Sequence, residues 1–327
     1  MARSAVRRAG PLATGSVLTG SLLALIAASL FGTLGPLSRI ADDAGVGPLA
    51  FVAWRAGIGT VALAAGMAAA GRLPRVLRAM WALDRRSRAS LALAAFMGYT
   101  LNVAIFVAFD RITIALALML FYTYPALVAA VEVATGREAL TPPRALALGL
   151  ASFGALLVLF GGVEGGLTFD ALGIALAFSA ALSQTVFIAV SRTGYSALPA
   201  EGGTLVILIT SGVGALLTAI AVGAGADLVA PFTAAGAWPP ILIAGILAAG
   251  LASFLFLTSL RRIGGTRTGI LMLWEPVVGV ILAAAILGES LVLIQVLGGV
   301  MVLGAALILQ LSSRPELEPV APRVEIV

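Results

Sequence analysis

AFDRITIALALMLFYTYPALVAAV (residues 108–131) and SLRRIGGTRTGILMLWEPVVGVIL (residues 259–282) are two copies of one pattern. Each passes an arginine, enters a long apolar run and carries a proline near the middle of that run. A shift of 151 positions places Arg111 on Arg262, Ile112 on Ile263, Pro125 on Pro276 and Glu138 on Glu289. After a one-residue adjustment Gly149 falls on Gly299 and Gly154 on Gly304. The chain is therefore an internal repeat, and the repeated unit is written in apolar residues.

Working outward from this pair, ten runs reach the roughly 20 apolar residues that a membrane-crossing helix needs. They lie at about 17–38, 47–69, 89–108, 112–132, 144–162, 169–190, 203–223, 238–260, 267–287 and 289–311. The tightest connections, Asp110-Arg111 and Gly288-Glu289, imply antiparallel helical hairpins. Each half holds five spans. Five is odd, so the second half enters the membrane the other way round, related to the first by a pseudo-two-fold axis in the membrane plane. Many secondary transporters are built so, with the substrate site at the repeat interface near the midplane. The first span also fits the sixth weakly, with Arg39 near Arg192. The expected division is a tail over 1–16, a first five-helix repeat over 17–162, a second over 163–311 and a tail over 312–327.

Composition agrees. Of the 327 residues 61% are apolar and 11% charged, against about 25% charged in soluble domains, and the mean hydropathy is +1.10. A soluble fold of this size would lack the polar surface to cover itself. The chain has no Cys, no His and no Lys. That excludes thiol catalysis, disulfides and Schiff-base chemistry, and removes the side chain best suited to titrate near neutral pH. No cofactor or metal site is expected. A phosphate loop of the G-x-x-x-x-G-K-[ST] type is absent, so direct ATP use is not expected.

The basic residues set the orientation. With the N-terminus inside, only Arg39, Arg55 and Arg111 of the 20 fall outside the inner segments, and the positive-inside rule then puts both termini in the cytoplasm. Outer loops instead carry Asp42, Asp43, Asp110, Glu164, Asp170, Asp227 and Glu289. The arginines sit between apolar runs, as topology signals do, so the high pI does not indicate nucleic acid. Arg85, Arg86 and Arg88 are topology determinants that can touch anionic lipid. Span one follows Arg3, Arg7 and Arg8 but is too long for a cleaved leader, and is read as a retained helix.

Polar residues inside spans are expensive and therefore informative. Glu275 lies about eight residues into span nine, roughly 12 Å deep at 1.5 Å per residue. Pro276 follows it, removes a backbone bond and frees carbonyls near residues 271–272. Glu275 is a candidate for binding a substrate amine or for proton coupling; the alternative is a structural pair, most simply with Arg55 or with an inner-leaflet arginine. Arg55 itself either binds a substrate carboxylate through its planar fork or serves structure and gating. Asn102 and Tyr99 share a helical face in span three, and Gln184 lies in the middle of span six beside Ser183. Asn102 and Gln184 can satisfy each other across helices or contact substrate. Tyr122 and Tyr124 precede Pro125, and Trp274 precedes Pro276 by two; stacking on a ligand competes with plain packing. Pro125 and Pro276 are the expected hinges. Trp54 is read as an interfacial anchor, and Glu132 as a structural group that reaches water or Arg137.

These motifs carry a family likeness. Phe51-Val-Ala-Trp-Arg55-Ala in span two, and LMLWEPVVGVILAAAILGESLVLIQVLGGVMVLGAALIL over 271–309, resemble the EamA-type members of the drug/metabolite transporter superfamily. The Glu-Pro pair, Gly288-Glu289 and the Gln295-x-x-Gly pattern all have counterparts there. The first repeat differs in having Tyr124 where the second has Glu275. The resemblance covers roughly residues 20–310. It implies an all-α integral membrane protein, with ten helices around a central cavity, and export of small organic metabolites such as amino acids and related amphipathic compounds. Drugs, nucleosides, vitamins or lipid-like metabolites are the alternative cargo. A membrane-embedded enzyme would need an acidic or His cluster, and the only adjacent acidic pair is Asp42-Asp43. The expected partners are a small-molecule substrate and membrane lipids, with no nucleic acid, in a monomer or homodimer of the bacterial plasma membrane.

Overall fold

The computed structural model describes residues 11–161, 169–234, 236–287 and 291–312. Among these are ten helical spans: Val17–Asp43, Pro48–Ala69, Arg85–Phe109, Ile114–Ala134, Pro142–Gly161, Ala171–Ser191, Ala200–Ala221, Trp238–Ile263, Gly265–Ile286 and Leu293–Leu311. No strand occurs among the described residues. Gly288, Glu289, Glu164, Arg3, Arg7, Arg8, Arg314 and Arg323 lie outside them. Local chemistry fixes several starts. Asp84 accepts from the backbone N–H groups of Arg86 and Ser87 to open span three, and Asp170 accepts from that of Gly173 at 2.8 Å to open span six. Both satisfy donors that a helix start leaves unpaired.

Three spans are broken near mid-membrane, each with a proline just beyond the break. Span four pauses at Tyr122-Thr123 and resumes as Tyr124–Ala134; span nine pauses at Leu273-Trp274 and resumes at Glu275. Span one pauses at Gly32-Thr33, ahead of Pro36, a break the sequence reading missed. In each the proline cannot serve the carbonyl four residues back. Freed carbonyls were expected near residues 271–272; those of residues 270 and 271 are not free. They are recaptured by the N–H groups of Leu273 and Trp274, both at 3.2 Å, in a tightened turn. Thr33 and Thr123 do the same job with side chains, donating to the carbonyls of Leu30 and Leu120 at 2.6 and 2.7 Å. The carbonyl left without its helical donor in span nine is that of Met272.

The packing obeys an exchange of halves. Span three packs on six as eight packs on one; span four packs on six as nine packs on one; two on seven and five on ten straddle the axis. Each of these pairs joins one repeat to the other. Small residues permit the close approaches. A Cβ at Gly154 would stand 2.6 Å from the carbonyl oxygen of Gly298, and one at Gly32 would stand 2.9 Å from that of Glu275. In lipid such backbone contact replaces the hydrophobic drive that water supplies elsewhere. Span eight widens into a π-helix over Ala244–Ala252, against Gly59 of span two.

Between spans two and three lies a short helix, Leu73–Trp81, where the sequence suggested only an arginine-rich connection. Its Val76 is buried against Met67 and Leu205.

Candidate functional site

A cavity of about 600 Å³ opens between the two repeats. Its rim holds Gly35 and Arg39, both exposed, at the end of span one. From there it descends past Arg55, Asn102 and Glu275 to Thr204 and Leu257 in the second repeat. It therefore reaches the face away from the chain's described ends, here called the far face. The face where span ten ends is the terminal face.

Two charged groups line this cavity from opposite repeats. Arg55, 6% exposed, donates through Nη2 to Asn102 Oδ1. Its guanidinium lies 5.3 Å from the Phe106 ring centroid and 6.0 Å from that of Phe51. Asn102 is itself held by a 2.7 Å bond from Nδ2 to the carbonyl of Gly98. The planar fork is thus aimed before any ligand arrives, and Nε has no partner. On the other side Glu275, half-buried at the break of span nine, lies within electrostatic reach of the Tyr122 hydroxyl and of Arg55. Arg55 and Glu275 form no direct ion pair. The simple structural pair considered from sequence is therefore not what the fold builds. The two groups stand apart, and the same cavity is also lined by apolar Ile105, Leu118 and Phe256.

The sequence candidates divide. Glu275, Arg55, Asn102, Tyr124, Gln184 and Pro276 line the cavity. Asn102 pairs with Arg55 and Gly98, not with Gln184. Trp274 does not line it: Nε1 donates to Ser29 Oγ at 3.0 Å, so the indole fastens span nine to span one. Tyr99 also turns away. Its hydroxyl is bonded to Thr218 Oγ1 at 2.7 Å, and its ring covers Gly214 in a groove between spans three and seven. Residues three apart differ by about 60° around a helix, enough here to place Asn102 on the cavity and Tyr99 outside it. Pro125 packs near Gly269 beneath the cavity floor. Tyr122, named from the sequence as able to stack on a ligand, lines the cavity. Phe106 lines it too and nothing in the sequence flagged it, whereas Phe51 stood in the span-two motif without a site role. Trp54 donates from Nε1 to the Leu228 carbonyl at 3.0 Å and stacks edge-on with Phe232 and Trp238 at the far face.

The terminal face is shut by ions. Arg192, ending span six, pairs with Glu132 at the end of span four and, at 2.9 Å, with Glu138 in the connection beyond it. Glu138 Oε1 also accepts the backbone N–H of Gly265 at 3.1 Å, at the start of span nine. Glu132 is fully buried and keeps one oxygen without a partner. Its partner is Arg192, not Arg137, which donates instead to the Ala189 carbonyl at 2.9 Å. At the far face Arg111 and Asp170 lie 3.7 Å apart between the repeats, exposed on both sides. Buried pairs resist rupture far more than exposed ones. Nearby, burial and the neighbouring Asp42 hold the Asp110 carboxyl above its usual range.

Ten helices in two inverted repeats around a two-charge cavity define a transporter-type membrane protein. The sequence profile of the EamA-like transporter family matches the chain twice, over residues 18–160 and 171–311, and the chain belongs to that family. A search of curated proteins returned no sequence match. A protein of known crystal structure, 20% identical, superposes with a TM-score of 0.72 over 92% of this chain and 99% of its own, and shares the fold.

Proposed function

We propose that this protein exports small zwitterionic or amphipathic metabolites, amino acids foremost, by alternating access across a bacterial plasma membrane. The observation that carries the reading is the cavity itself. It presents a preorganised guanidinium from one repeat and a carboxyl from the other, and it reaches one face while an ion cluster seals the opposite one. A ligand carboxylate suits Arg55, whose fork is already oriented. An amine suits Glu275 and the Tyr122 hydroxyl, with the aromatic Tyr124 alongside. The apolar wall and a volume in the range of drug-sized pockets favour a ligand with a bulky apolar group. The arginine distribution makes the terminal face cytoplasmic, so the conformation described is outward-facing. Exchange of the halves' conformations would open the cytoplasmic face.

The test is counterflow in proteoliposomes without an ion gradient, loading unlabelled amino acids one at a time and following the labelled form. The expected result is saturable exchange of a bulky apolar amino acid, lost in Glu275→Gln. Arg55→Lys keeps the charge but loses the fork and should raise the half-saturation concentration about tenfold, as expected for a lost charge-assisted contact of roughly 1.5 kcal/mol. Absence of counterflow with every amino acid, in protein of verified fold, would overturn the substrate class. Normal exchange by Glu275→Gln would remove its charge from binding.

A further inference from the structure

The helix Leu73–Trp81 joins two membrane spans, so it lies at the bilayer surface on the terminal face. One side is fixed to the protein: Val76 is buried against Met67 and Leu205. The adjoining side points outward with Leu77 and Trp81, the latter 82% exposed. Opposite Val76 the helix turns out Arg75 and Arg78, and the connection onward adds Arg85, Arg86 and Arg88, all exposed. An apolar edge beside a guanidinium face is the profile of a helix lying in the headgroup layer. Most of these charges are not used internally. Arg72 pairs with Glu201, and Asp84 is spent on capping span three. Among the described residues no carboxylate pairs with Arg75, Arg78, Arg85, Arg86 or Arg88. Arg78 and Arg88 touch only the backbone carbonyls of Pro74 and Trp81.

The inverted repeat supplies an internal comparison. The matching connection between spans seven and eight, at the far face, also forms short helices, Gly225–Leu228 and Ala230–Thr233. It too exposes apolar side chains, Val229 and Phe232. Yet between residues 222 and 237 it carries Asp227 and no arginine. The fold therefore does not need guanidinia in this connection; only one membrane face receives them.

We propose that Leu73–Trp81 with Arg75, Arg78, Arg85 and Arg86 is a binding platform for anionic phospholipid headgroups, with Trp81 and Leu77 seated at the acyl boundary. The positive charge of the guanidinium face gives the platform its preference for anionic over zwitterionic lipid, and bidentate phosphate contact adds to the hold. The role belongs to the folded protein and is separate from any part the same arginines play in orienting the chain during insertion.

The experiment uses the full chain in nanodiscs of phosphatidylcholine, with or without phosphatidylglycerol, and counts phospholipid retained after detergent extraction. The parent should retain phosphatidylglycerol selectively. The Arg75→Gln, Arg78→Gln, Arg86→Gln triple variant should lose that selectivity by roughly two orders of magnitude, at about fivefold per arginine near an anionic surface. The corresponding Lys triple variant should recover most of it. Because the chain has no Cys, a single Ser312→Cys reports orientation in each background and separates lipid binding from inverted insertion. Equal phosphatidylglycerol retention by the correctly oriented Gln variant would overturn the proposal, as would a parent that retains both lipids alike.

Discussion

Replacing Arg192 by Ala should unlatch the terminal face. Arg192 is the one cation paired with both Glu132 and Glu138 among the described residues, contacting Glu138 at 2.9 Å and the fully buried Glu132. Removing it leaves two carboxylates without a cation at the start of span nine. Breaking a buried pair by deleting one partner costs roughly 3–5 kcal/mol. Arg192 is 23% exposed, so the lower end applies. The cost falls on the closed conformation alone, because water reaches the carboxylates once the repeats separate. At about 1.4 kcal/mol per tenfold, 3 kcal/mol shifts the open-to-closed ratio roughly a hundredfold. The assay is labelling of Ile188→Cys, buried beside Gly265 under the latch, with an impermeant maleimide applied from the terminal face. Its rate should rise about a hundredfold in Arg192→Ala. A neutral triple variant, Glu132→Gln with Glu138→Gln and Arg192→Gln, should sit close to the parent, because no charge is stranded. Unchanged labelling in folded Arg192→Ala would refute the latch, as would equal exposure in the neutral triple.

Three further outcomes follow from the same geometry. Pro125→Ala with Pro276→Ala restores two helix donors at the breaks, and should slow exchange turnover more than it weakens binding; unchanged turnover would remove the hinges. Gly32→Val places a Cβ at about 2.9 Å from the Glu275 carbonyl, and should lower stability by about 1–3 kcal/mol, read by thermal unfolding in detergent. Asp110→Asn removes a carboxyl whose pKa is raised in the folded protein. An acid with a raised folded pKa binds more protons when folded, so stability falls as pH rises through that pKa. The variant should therefore melt higher than the parent at neutral pH and together with it below the ordinary aspartate range; equal melting at both would remove the strain.

How much of this was readable in the residues depends on the range of the interaction. The ten spans follow from local hydropathy, because bilayer thickness imposes a length that any run of residues either meets or fails. Span nine's polar spot was legible because a Glu-Pro pair inside an apolar run is costly wherever it folds. The break at Gly32 was less so: its cause, Pro36, lies four residues on, where a helix end would look the same. Trp274 and Tyr99 were misplaced because a helical wheel fixes relative angles only. Which side of span three faces the cavity is set by spans two, six and seven, which meet it from distant parts of the chain.

By itself the sequence determined the solvent, the number of crossings, the internal repeat and, from the odd number of spans in each half, its inversion. Those properties are sums over contiguous residues. The tertiary structure alone decided that Arg55 is held by Asn102 rather than by Glu275, that Tyr122 comes near the Glu275 carboxyl, and that Arg192 locks onto Glu132. Each of these joins groups tens to hundreds of residues apart. Their pairing depends on the rotation of packed helices about their axes, which burial of the small-residue faces fixes and hydropathy does not encode.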